Sequence, residues 1–132
     1  MSFISAQSLD DEKQDIIREM VCYMRYGTTC SEEGGDPETE FDAGYDQADI
    51  DRCEGILDDF IVTMQTHRHA KPEVLLADVQ ATVEALNRLN EECNCSLLET
   101  DQRESICSLI ANGLRFAGLV PEGDVTQPWR EW

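Results

Sequence analysis

Apolar residues recur at three- and four-residue spacing along four stretches of the chain, with polar residues between them, which is the pattern of amphipathic helices. In the first stretch Ile16, Ile17, Met20, Val21 and Met24 line one face. Ser8, followed by Asp10, Asp11 and Glu12, reads as a side-chain cap and then acids on the positive end of a helix dipole. A helix is therefore predicted from about residue 9 to 26, stopped by Gly27. The second stretch carries Ile50, Cys53, Ile56, Leu57, Phe60, Ile61 and Met64 and predicts a helix from about 48 to 66. His67, Arg68, His69 and Lys71 follow it, and cations suit a helix C-terminus.

Pro72 is placed to open the third helix, where its missing N–H costs nothing. That helix carries Leu75, Leu76, Val79, Val83, Leu86, Leu89 and Cys93 and is expected to end near Asn94. Thr100 reads as the cap of a fourth helix, with Ile106, Leu109, Ile110, Leu114 and Ala117 inward and Gly118 ending it. No strand-like alternation competes. The expected fold is all-α, a four-helix bundle-like single domain over 1–132, with helices two, three and four as antiparallel neighbours. Three segments fall outside the helices: an arm at 1–8, a loop at 27–47 and an irregular tail at 119–132. Trp129 and Trp132 are too apolar to hang free of the tail, so at least one is expected to pack on the bundle.

Charge changes the picture. The 132 residues carry a net charge of −18, while the hydrophobic fraction is an ordinary 41%. Twelve acids and a single base, Arg52, fall between residues 32 and 59. Such a field repels nucleic acid and anionic membranes and attracts cations or a basic partner. No segment approaches the roughly 20 apolar residues of a membrane span. The first residues carry neither the basic nor the apolar region of a secretory signal. A cytoplasmic protein is expected.

Candidate chemistry adds little. The six cysteines, Cys22, Cys30, Cys53, Cys93, Cys95 and Cys107, mostly fall near the apolar stripes and read as small buried hydrophobes rather than as a disulfide framework. His67 and His69 stand two residues apart, which points them to different sides of a helix. Cys93 and Cys95 lack the gap and the second pair of a structural zinc site. A calcium loop opening at Asp42 would need Gly and Glu where Gln47 and Cys53 stand. No cofactor or metal is expected. No nucleophile elbow, phosphate loop or paired Glu-x-x-His appears, so an enzyme is disfavoured.

The second half, from Pro72 onward, resembles a family of small uncharacterised helical bacterial proteins, a domain of unknown function. The likeness rests on Ala-Thr-Val-Glu-Ala-Leu-Asn-Arg-Leu-Asn-Glu-Glu at 81–92, Leu-Glu-Thr-Asp-Gln-Arg-Glu at 98–104 and Trp-Arg-Glu-Trp at 129–132. It implies a helical, acidic protein and brings no catalytic residue. The Cys93-Asn94-Cys95 turn and the Gly-rich acidic loop depart from the family's pattern.

The functional expectation is a protein-binding module, immunity-, inhibitor- or adaptor-like, that recognises a basic protein. Its candidate partner-binding residues are Glu32, Glu33, Asp36, Glu38, Glu40, Phe41, Asp42, Tyr45 and Asp46, the two aromatics serving as anchors within the acidic field. Two alternatives stay open. One is a small enzyme or metal-dependent protein using carboxylates of that loop with His67 or His69. The other is a structural homo-oligomer.

Overall fold

The computed structural model describes residues 5–26, 45–93, 97–98, 100–121 and 123–132. The chain is an all-α, four-helix bundle-like fold: α1 (Ala6–Tyr26), α2 (Gln47–Thr66), α3 (Pro72–Glu92) and α4 (Thr100–Ala117). No strand occurs among the described residues. Each stripe read from the sequence becomes a buried face. Ile50, Cys53, Leu57, Phe60 and Met64 of α2 meet Leu75, Val79, Val83 and Leu86 of α3 and Ile106, Leu109, Ile110 and Leu114 of α4 in one core. α1 adds Leu9, Ile16 and Met20, while Ile17, Val21 and Met24 are only partly buried.

The helix starts differ from expectation. α1 begins two residues before Ser8, and Ser5 does the capping: its Oγ accepts the Ser8 backbone N–H at 3.1 Å. Ala6, Gln7 and Ser8 thus belong to the helix, not to an arm. α2 opens on a reciprocal cap. Asp46 accepts from the Asp49 backbone N–H and the Asp49 carboxylate accepts from that of Asp46, both at 3.1 Å. Thr100 lies inside the first turn of α4 rather than ahead of it. α3 opens on Pro72 as predicted.

The packing order also differs. α2 is the hub, touching α1, α3 and α4, and α1 packs on both α2 and α4. α3 and α4, consecutive in sequence, touch least. α2 approaches α4 so closely that a Cβ on Gly113 would lie 2.5 Å from Phe60 Cε1. The C-terminal tail bridges α3 and α4. Asn87 of α3 donates to the Trp129 carbonyl at 2.7 Å and accepts the Glu131 N–H at 3.1 Å. Arg130 reaches Cys107 of α4 at 3.1 Å. Both tryptophans pack against the core. The turn between α2 and α3 docks on the end of α4, where the His69 N–H donates to the Ala117 carbonyl at 2.7 Å. Gly118, at φ +106°, lets α4 end beside it, in a region that side chains disfavour.

Cys53 and Cys93 are buried free thiols, as expected. Burial pushes the Cys53 thiol up to about 12, with Cys93 and Glu54 adding to the effect. Burial, then Asp49, pushes Cys93 up to about 11. Cys22 departs from the expectation: it is half-buried on α1 and disulfide-bonded, its partner outside the described residues. No helix among the described residues is long and apolar enough to cross a membrane.

Candidate functional site

Of the residues expected to meet a partner, Glu32, Glu33, Asp36, Glu38, Glu40, Phe41 and Asp42 lie outside the described residues. The other two have been given structural work. Tyr45 is buried in the core, its ring stacked on Tyr23 at 6.4 Å and its hydroxyl donating to the Met20 carbonyl at 3.3 Å. Its ring pins the chain to α1 and is not on the surface as an anchor. Asp46 is exposed, but its carboxylate caps α2.

The rest of the acidic stretch is partly spoken for as well. Lys13 of α1, only 5% exposed, reaches Asp58 at 2.5 Å, Asp10 at 3.2 Å and Glu54 at 3.6 Å. Burial pulls its ammonium down, yet the bonds from Asp58 and Asp10 outweigh burial and hold it above the usual lysine value. Arg52 pairs with Asp49 and ties α2 to Glu92 at the end of α3. Asp58, Glu54 and Glu92 thereby link helix to helix.

The histidines do not form a site together. His67 Nδ1 bonds Asp78 of α3 at 2.6 Å, and His69 takes a positive φ of 68° in the turn. Among the described residues no three of His, Cys, Asp or Glu gather as metal ligands would.

Along α4 instead runs a trough in two halves. The first half lies between α1 and α4, a groove of about 340 Å³ lined by Glu12, Asp15, Ile16, Glu19, Glu104, Ser105 and Ser108. Positions 12, 15 and 19 repeat at three and four residues, so one face of α1 presents all three carboxylates to the groove. Glu12 accepts from Asn112 of α4 at 2.5 Å and Asp15 from Arg18 at 2.7 Å. Glu19 and Glu104 form no ion pair among the described residues. No basic side chain lines this half among the described residues.

The second half shares Glu104 and Ser108 with the first and lies between α4 and the tail. Its cavity measures about 580 Å³, lined also by Arg103, Cys107, Ala111, Gly123, Asp124, Val125 and Arg130. Here one pair of opposite charges is matched. Arg130 Nη1 meets Asp124 at 2.7 Å, and Asp124 also accepts the Thr126 backbone N–H at 2.9 Å and its hydroxyl at 2.5 Å. Burial would raise the Asp124 carboxyl, but Thr126 and Arg130 together hold it below the usual range. Cys107 is half-exposed in this cavity, not a core residue as its stripe position implied.

The sequence carried a readable signal for the acidic half, the 12-15-19 repeat. It carried none for the tail half, whose members come together only when residues 123–130 fold back on α4. No family model, no curated protein and no solved structure matches this chain. What the trough can do is therefore argued from its own residues.

Proposed function

We propose that this protein is a binding module for a basic segment of another protein, and that the groove between α1 and α4 receives a lysine or arginine side chain of that partner. The observation that carries the reading is the ring of Glu12, Asp15, Glu19 and Glu104 around a groove that no basic residue lines among the described residues. Three of these carboxylates, Glu12, Glu19 and Glu104, have no ion pair among the described residues, and like charges held together cost free energy that an incoming cation recovers. The net charge of −18 would steer such a partner from a distance and repel nucleic acid.

The test is calorimetric titration with an arginine-rich peptide at low and high salt. Affinity is expected to fall steeply with salt, because exposed charges are screened beyond ~10 Å at 0.1 M. The double variant Glu19→Gln, Glu104→Gln should bind roughly tenfold more weakly, from about 0.5–1 kcal/mol per lost pair. Asp51→Asn with Asp59→Asn removes the same charge from exposed positions on α2 and should leave binding nearly intact. Equal losses in the two double variants would mean that only net charge matters and would remove the groove from the reading.

A further inference from the structure

Cys107 differs from the other free thiols in what surrounds it. Cys53 and Cys93 are buried in the core, whereas Cys107 opens onto the tail cavity. Two polar groups bracket its sulfur. Arg130 Nη1 stands 3.1 Å from Sγ, and Thr126 Oγ1 stands 3.5 Å from it. Thr126 has one hydroxyl hydrogen, and the Asp124 carboxylate beside it can only accept. That hydrogen therefore goes to Asp124, and the Cys107 S–H points to the Thr126 oxygen. The sulfur thus gives its proton toward a hydroxyl held by an anion and receives an N–H from a guanidinium. Its remaining lone pair is left for chemistry in a cavity large enough for a small molecule.

We propose that Cys107 is an oxidation site for small uncharged peroxides, hydrogen peroxide or an organic hydroperoxide. The sulfur attacks one peroxide oxygen as the O–O bond breaks. Sulfur is oxidised to the sulfenic acid and the second oxygen is reduced, leaving as hydroxide, or as alkoxide from an organic hydroperoxide. The thiol proton joins it, so the thiol and hydrogen peroxide become the sulfenic acid and water, or an alcohol from the organic reagent. Arg130 Nη1 is placed to hold the negative charge that develops on the departing oxygen, without having to reorganise. An uncharged oxidant is favoured because the −18 charge of the chain repels anionic ones. Ala111 and Val125 give the cavity an apolar wall that suits the organic group of a hydroperoxide. This inference rests on the tail half of the trough alone and is independent of the basic partner.

The test is a short peroxide pulse on the intact protein, with the sulfenic acid trapped by a cyclic diketone and located by peptide mass spectrometry. Cys107 is expected to label before Cys53 and Cys93. Arg130→Met should slow that labelling roughly tenfold, the scale of losing one charge-assisted donor in a half-open site. Arg103→Met removes a neighbouring positive charge from the cavity wall without touching the sulfur. It should stay within about twofold of the parent rate, a difference too small for a lost donor of this kind. First labelling at Cys53 or Cys93 would overturn the proposal. So would an Arg130→Met rate equal to that of the parent, or an equal slowing in Arg103→Met.

Discussion

The two halves of the trough along α4 share Glu104 and Ser108 yet are built on opposite electrostatic plans. Between α1 and α4, Glu19 and Glu104 have no cation among the described residues. Between α4 and the tail, every described charge but those of Arg103 and Glu104 is bonded, Arg130 to Asp124 and Asp124 to Thr126. The first arrangement leaves interaction energy unused, which a partner can take up. The second spends it on holding the tail, and what remains reactive there is a sulfur atom. A carboxylate's role in this protein follows from its nearest cation, not from its place in an acidic stretch.

The largest effect that would break the contrast is loss of the tail. Asn87→Ala removes both bonds to the tail backbone and leaves the Trp129 carbonyl and the Glu131 N–H without that amide. It should destabilise the fold by about 2 kcal/mol. Thermal unfolding measures the loss. Trp129 and Trp132 are the chain's two tryptophans, so emission reports tail docking directly.

A smaller, pH-controlled effect follows from Asp124. Its carboxyl is held below the ordinary range in the folded protein. Such a group binds fewer protons folded than unfolded, so its contribution is fully present above the ordinary carboxylate pKa of ~3.9. It is lost as pH falls through the lowered folded value. Tryptophan emission on acid titration should show a step there that Asp124→Asn abolishes. A step unchanged in that variant would assign it to another group.

The smallest effect lies in the acidic half. Glu19→Gln with Glu104→Gln breaks no described ion pair and relieves like-charge repulsion, so stability should stay level or rise by up to ~0.5 kcal/mol. A clear drop in melting temperature would show these acids to be structural, and the contrast between the halves would fail.

The helices were legible because their signal is local. Ile50, Cys53, Leu57, Phe60 and Met64 repeat at helical spacing wherever the chain goes, and they are buried. Pro72 and Gly118 mark a start and a stop by their own backbone chemistry. The capping box of α2 was equally local, an Asp followed three residues later by another, and went unread behind the surrounding acids. The same density of acids drew attention to residues 32–59, while the 12-15-19 repeat on α1 passed as ordinary helix surface. Tyr45, expected as an anchor for a partner, packs on Tyr23 instead and pins the chain to α1.

Sequence alone determined four amphipathic helices, their approximate limits and a strongly negative surface, because periodicity and charge need no partner to be counted. Tertiary structure alone decided which charges were cancelled. Lys13 finds Asp58 forty-five residues away, and Glu12 finds Asn112 a hundred residues away. Pairing depends on distance in space, falls steeply with it, and leaves no trace in local order. Cys107 became a distinct thiol for the same reason, when the tail carried Arg130 back to a sulfur twenty-three residues earlier in the chain.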